Sequence, residues 1–313
     1  MITVLSKVLM IFAMIALGFV ANKIRVLPDE ANKYLTDVLI LITTPCMIIS
    51  SMAGRELDAE TGTETVMVLV GSVLFFVLGA LVALLLAKGL KKTKKEDAGV
   101  MMVGMVAVNS AFMGFPVTKA TFGDHIFFLM VVQNIILNIY LYSLAVIQMH
   151  YGDKKEGSMA ARMKSVLNPC VIAVIIGSII LVAGIKLPGP VSEFLETMGD
   201  ATVPLSMLVV GIQLGQSNLS KVIKNRDIIY VSLINVLLMP MLTFLAVNWL
   251  PIPSTVKITL VFAAAFPCAV ASVGVATKEN RNAGLMAEAV ALSTVMSLVS
   301  LPLIAALLQG VYL

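Results

Sequence analysis

Charge is what this sequence has least of. Only 13% of its 313 residues are Asp, Glu, Lys or Arg, against about 25% in a soluble domain. So few charges do not cover a globular surface in water. Histidine is rarer still, with two copies, and the three cysteines, Cys46, Cys170 and Cys268, lie far apart inside apolar runs. That number and scatter exclude a disulfide framework and a metal-ligand spacing. His125 and His150 fall at opposite ends of one apolar segment, which excludes a histidine metal cluster or acid–base centre. The apolar runs also lack paired aspartates. The chain is therefore not expected to be an enzyme, and no cofactor is expected. A formal charge of +4 is too small to suggest a nucleic-acid partner.

Apolar length is abundant instead. Hydrophobic residues make up 59% of the chain and the mean hydropathy is +0.99. A bilayer crossing takes about 20 apolar residues. Such stretches lie near 3–22, 33–53, 64–88, 97–121, 125–150, 167–185, 190–215, 227–249, 254–277 and 282–311. The first, which includes Lys7, lacks the basic start and cleavage site of a signal peptide, so it counts as a membrane helix. Of the 22 Lys and Arg residues, all but Lys7, Arg55, Lys119, Lys186 and Lys257 fall on one side of this arrangement. The positive-inside rule makes that side cytoplasmic. Both termini are then extracytoplasmic, which requires an even number of spans, and ten satisfies it. The expected setting is the cell (inner) membrane, multi-pass, with the lipid bilayer as partner.

Ten spans divide into two sets of five of opposite orientation, and the sequence carries traces of duplication. Leu27-Pro28 resembles Leu187-Pro188 at an offset of 160. Thr43-Thr44-Pro45-Cys46-Met47 resembles Thr202-Val203-Pro204-Leu205-Ser206-Met207, with the prolines offset by 159. Phe115-Pro116 resembles Phe266-Pro267 at 151. The expected organisation is a first five-helix repeat at 1–150, a charged cytoplasmic linker at 151–166 and a second repeat at 167–313. Inverted repeats are a mark of secondary transporters.

The fourth span carries Asn109-Ser110-Ala111-Phe112-Met113-Gly114-Phe115-Pro116. Gly weakens a helix, and Pro removes a backbone donor while suiting a helix start. The helix should break here, with Pro116 opening a second half-helix. The ninth span repeats the device with Pro267, followed by Cys268, Ser272 and Gly274. Hydrocarbon tolerates freed backbone groups only where protein or a water-filled cavity satisfies them. Two breaks at corresponding places thus point to a midplane binding site. A half-helix presents about +0.5 charge at its N-terminus. If two such ends face one cavity their fields add and favour a small anion such as a carboxylate. Alternatively, the two prolines merely kink ordinary helices.

The Asn109–Pro116 segment resembles the fourth-helix signature of the auxin efflux carrier family. Gly199 to Met207 with Gly211 resembles that family's seventh helix, Ala263 to Ser272 its ninth, and Leu292-Ser293-Thr294 with Leu301-Pro302 its tenth. The resemblance runs in order along essentially the whole chain. It implies a bacterial-type, all-α carrier of the bile acid/sodium symporter-like superfamily. Helices 1, 2, 6 and 7 would form a scaffold, and helices 3–5 and 8–10 a transport domain in which broken helices 4 and 9 cross at midplane. It further implies transport of small organic anions, malate-like or auxin-like acids, by an elevator form of alternating access.

The expected substrate-lining set is Asn109, Ser110, Phe112, Met113, Gly114 and Pro116 from the fourth span and Pro267, Cys268 and Ser272 from the ninth. Thr44 and Pro45 of the second, Pro204 of the seventh, and Asn134 and Asn138 of the fifth complete it. The two asparagines share a face at i, i+4, and either line the site or bond neighbouring helices. Glu288, Asp37 and Asp200 are the acids expected within the membrane. Such acids are functional candidates by default, so Glu288 and Asp37 are candidate proton-coupling groups. Glu288 pairing with a basic residue, or Asp37 with Lys33, is the structural alternative. A homodimer stays open, as do two rival functions: a channel, and a sensor or receptor on a carrier fold.

Overall fold

The computed structural model describes residues 2–53, 58–151, 169–216 and 222–313. Apart from Tyr151, the expected linker lies outside these residues. Every regular element among them is helical. In chain order they are α1 (Ile2–Lys23), α2 (Ala31–Ala53), α3 (Ala59–Gly89), α4 (Ala98–Val106), α5 (Phe115–Phe122), α6 (Asp124–Met149) and α7 (Pro169–Val182). Then follow α8 (Gly189–Gln216), α9 (Arg226–Asn248), α10 (Ser254–Ala265), α11 (Ala271–Lys278) and α12 (Ala283–Tyr312). Six of them, α2, α3, α6, α8, α9 and α12, are long and apolar enough to cross a membrane.

Lipid as solvent explains the surface of α3. Val66, Val70, Leu74, Leu78, Leu81 and Leu85 are exposed at three- and four-residue spacing, one face of a helix. The opposite stripe, Val68, Ser72, Phe76 and Ala83, is buried. A face of that kind in water would be a large apolar patch; in hydrocarbon it is ordinary. The helix starts at Ala59, earlier than its apolar run, because Asp58 caps it: Oδ1 accepts the Thr61 N–H at 2.7 Å. That backbone bond also holds the Asp58 carboxyl below its ordinary pKa.

The helices sort into two packed groups. In one, α1 lies along α8, and α2 packs against α7 and α8. Glycine makes these contacts possible, as is common between membrane helices. A Cβ on Gly211 would stand 2.2 Å from the Ile15 carbonyl oxygen, and one on Gly18 2.5 Å from that of Leu208. In the other group, α3, α4, α6, α9, α10 and α12 pack among themselves. A Cβ on Gly99 would fall 2.1 Å from the Gln148 carbonyl oxygen, so α4 touches the end of α6 at the backbone.

Among the described residues three π turns occur, Leu39–Thr43 within α2, Ser110–Gly114 directly before α5 and Ile234–Leu238 within α9. Each ends two residues before a proline, Pro45, Pro116 and Pro240. Proline cannot donate to the carbonyl four residues back and its ring clashes with it; a wider turn there relieves the clash. Pro116 therefore stands in the first turn of α5, as its sequence context suggests, and shapes a π turn that runs into that helix. The break falls earlier, at Ala107–Asn109.

Candidate functional site

The two interrupted helices meet at their breaks. Val108 and Cys268 face each other in an isolated antiparallel bridge. The Asn109 N–H donates to the Pro267 carbonyl at 2.8 Å, and the Ala269 N–H to the Ala107 carbonyl at 3.1 Å. Val108 and Cys268 are fully buried and Asn109 is nearly so. An unpaired backbone group in such a place costs several kcal/mol, roughly, in a lipid or protein interior. Pairing the two breaks with each other removes that cost for both. Three side chains supply further bonds. Ser293 Oγ accepts the Cys268 N–H at 3.1 Å, Asn235 Nδ2 points at the Met105 and Ala107 carbonyls at 3.4 and 3.5 Å, and Asn134 Nδ2 donates to Ser110 Oγ at 2.9 Å.

Antiparallel pairing also arranges the dipoles. The segment entering α5 lies against the end of α10, and the segment entering α11 against the end of α4. Each positive helix end therefore neighbours a negative one, so the expected addition of two positive ends is reduced by local cancellation.

A cavity of about 590 Å³ opens between the two helix groups. From α11 it is bounded by Val273 and Gly274, with Val270 just before that helix, and from α12 by Glu288, Val290 and Thr294. Asp37, Lys33 and Thr36 of α2 and Gln213 of α8 face it, as does Asp29 in the preceding loop. It thus touches the N-terminal turn of α11 and no residue of α5. Asp37 and Glu288, distant in sequence, share this one space.

The remaining expected site residues are placed elsewhere. Asn109, Ser110, Pro267, Cys268 and Ser272 form the buried crossing, and Met113 and Gly114 pack beside it. A Cβ on Gly114 would stand 3.2 Å from the Phe266 ring, so only a small residue lets the π turn lie against α10. Phe112 is half-buried and Pro116 buried. Asn138 Nδ2 donates to the Asn134 carbonyl at 2.8 Å and to its side-chain oxygen at 3.0 Å, continuing one polar chain from Ser110. Thr44 and Pro45 sit in the π-turn region of α2, and Pro204 is exposed on α8.

The buried acids differ from those expected. Asp200 is exposed and meets Lys119 at 3.1 Å, joining α8 to α5, and Asp37 is exposed. Glu64 and Asp227 are the buried ones, 2% and 3% exposed. Glu64 takes a hydrogen bond with His125 at 2.6 Å and another from the Thr255 hydroxyl, uniting the starts of α3, α6 and α10. At the far end of α6, His150 lies 2.8 Å from Glu279, and Arg281 donates to its other ring nitrogen at 2.6 Å. Partners so distant in sequence leave no local signature.

Helices that expose apolar faces to lipid, two of them unwound and paired in the interior, define a multi-pass membrane protein. A profile of the family described as membrane transport protein matches residues 3–305, and the chain belongs to that family. It is similar to an uncharacterized transporter of Methanothermobacter thermautotrophicus, 25% identical over 303 residues, covering 95% of this chain and 96% of the relative. An uncharacterized transporter of Methanocaldococcus jannaschii is 23% identical over 309 residues, covering 96% and 97%. The chain is a transporter rather than an enzyme.

Proposed function

We propose that this protein is a secondary carrier of small organic anions, carboxylates above all, working by alternating access in the cell (inner) membrane with both termini outside. In this reading α4 with α5 and α10 with α11 each count as one span. There are then ten spans in two inverted repeats, and α3–α6 with α9–α12 move against α1, α2, α7 and α8. The observation that carries the reading is the antiparallel pairing of two unwound segments inside the bilayer, since secondary carriers build midplane sites from interrupted helices at corresponding places in two repeats. The paired residues Val108 and Cys268 are 160 apart, the same offset as Pro28 and Pro188, which supports the duplication.

The cavity between the helix groups supports a route from the lysine-rich side, which the charge distribution makes cytoplasmic. Asp29, Asp37 and Glu288 repel an arriving anion and Lys33 attracts it. Protonation of Asp37 or Glu288 would remove part of that barrier, which gives both acids a role in coupling transport to protons. The test is counterflow of small labelled carboxylates, malate, malonate and indole-3-acetate, in proteoliposomes. Saturation with trans-stimulation is the expected result. Flux without saturation would indicate a channel, and binding without flux a sensor.

A further inference from the structure

Asp227 opens α9 as a buried carboxylate, and the transport reading gives it no task. It is occupied by the loop after α3. Its Oδ1 accepts the Lys91 N–H at 3.2 Å, and its Oδ2 accepts the Lys92 N–H at 2.7 Å, the Thr93 N–H at 2.6 Å and the Thr93 hydroxyl at 2.7 Å. Three successive amides converging on one anion form a nest. A second clamp holds the loop's other end. Tyr230 donates its hydroxyl to the Leu86 carbonyl at 3.2 Å, and a Cβ on Gly89 would lie 2.6 Å from that hydroxyl.

With its backbone donors turned inward, the loop leaves Lys88, Lys91, Lys92, Lys94 and Lys95 exposed. Lys224 and Arg226, also exposed, lie just before Asp227 in the chain. The acids at the loop's end are engaged: Glu96 lies 3.6 Å from Lys94, and Asp97 accepts a bond from Asn282 at 3.2 Å. The lysines begin three residues after Leu85, which is 67% exposed on the lipid-facing stripe of α3. They therefore stand where the hydrocarbon ends and phosphate headgroups begin.

We propose that this clamped loop is a binding site for the phosphate headgroups of anionic phospholipids. Lysines bind phosphate as point charges, and juxtamembrane clusters of four to eight basic residues attract anionic lipid. This cluster has a backbone fixed before the lipid arrives, so little ordering entropy is lost on binding. Position beside the lipid-exposed end of α3 favours a membrane lipid over an acidic protein segment. The proposal rests on membrane insertion and not on any substrate.

The test is native mass spectrometry of the full-length protein in detergent with equal amounts of phosphatidylglycerol and phosphatidylcholine. Wild type should retain phosphatidylglycerol preferentially. Neutralising Lys91, Lys92, Lys94 and Lys95 to Gln should lower that preference by more than about tenfold, since two lysines at roughly fivefold each already exceed it. The deciding variant is Asp227→Asn, which makes the region more positive while releasing the loop. A built site predicts a weaker preference, whereas bulk charge alone predicts a stronger one and overturns the proposal. Thr93→Ala, which removes one side-chain bond and no charge, repeats the test if Asp227→Asn does not fold. Displacement of the lipid by equimolar inorganic phosphate, or a preference for an acidic peptide over lipid, would also overturn it.

Discussion

The Asn109 amide donates to the Pro267 carbonyl at 2.8 Å, so the fourth-span motif and the ninth-span proline meet through the main chain. Backbone pairing leaves the Asn109 side chain free of the task of holding the crossing. Asn109→Ala should therefore insert and fold normally. If its amide binds substrate, transport should fall by roughly 5- to 100-fold, the worth of one or two hydrogen bonds in a dry site. Counterflow together with thermal unfolding in detergent separates the two effects. Unchanged transport would move the site away from the crossing.

Ser293 is the crossing's support from α12. Its hydroxyl accepts the Cys268 N–H and donates to the Val290 carbonyl at 3.1 Å. Ser293→Ala strands a buried N–H, at a cost of about 1–3 kcal/mol. A fall of several degrees in the midpoint of thermal unfolding is expected, and Ser293→Thr should recover part of it. A midpoint equal to wild type would mean that Cys268 finds another acceptor.

Six of the expected spans were legible in the sequence because lipid demands long apolar runs, and the six longest helices fall where those runs lie. That both interrupted spans break was legible from Gly114, Pro116 and Pro267. The location of the first break was not, because Pro116 answers a local clash with a π turn while Val108 and Asn109 carry no mark of unwinding. The Phe-Pro pairs are offset by 151, whereas the residues that pair are offset by 160. Asp37 and Glu288 stand out in the sequence as acids within apolar spans, and only the fold puts them in one cavity. Glu64 was missed, since an acid near a helix start reads as solvated until His125 and Thr255 close over it.

Gly211 tests the α1–α8 seam. A methyl group there would sit 2.2 Å from the Ile15 carbonyl oxygen, which belongs to a helix backbone that does not yield easily. Gly211→Ala should destabilise the protein by about 1–3 kcal/mol or more through overpacking. Gly274→Ala, where nothing lies within 4 Å, should be tolerated. Equal thermal midpoints for the two variants would show that the seam opens without cost.

The pH dependence of uptake tests Glu288 and Asp37. Proton coupling through these carboxylates, as proposed, makes anion transport fall as the proton concentration falls. Glu288→Gln mimics the protonated form, so its uptake should stay high at alkaline pH and its profile should flatten. Asp37→Asn should act in the same direction. A wild-type profile in both variants would return these carboxylates to a structural role.

On the anion proposed as substrate, two opposing fields act in the same cavity. The first turn of α11 offers what the neighbouring end of α4 leaves of a half positive charge, worth about 1–2 kcal/mol to an anion at ~4 Å with an effective dielectric of ~20. A full negative charge ~10 Å away through water repels by only about 0.4 kcal/mol. A carboxylate seated on α11 should therefore bind, provided that the ligand keeps its distance from Asp29, Asp37 and Glu288. An amine of matched shape should bind less well. The double variant Asp37→Asn/Glu288→Gln should tighten the acid several-fold and weaken the amine. Pro116→Ala should change acid affinity by less than about twofold, because the break lies at Ala107–Asn109 and the cavity touches α11 rather than α5. Equilibrium binding of one acid–amine pair to both variants and wild type measures each outcome. Amine preference in wild type, or a large loss of acid binding in Pro116→Ala, would show that the field at α11 does not choose the substrate.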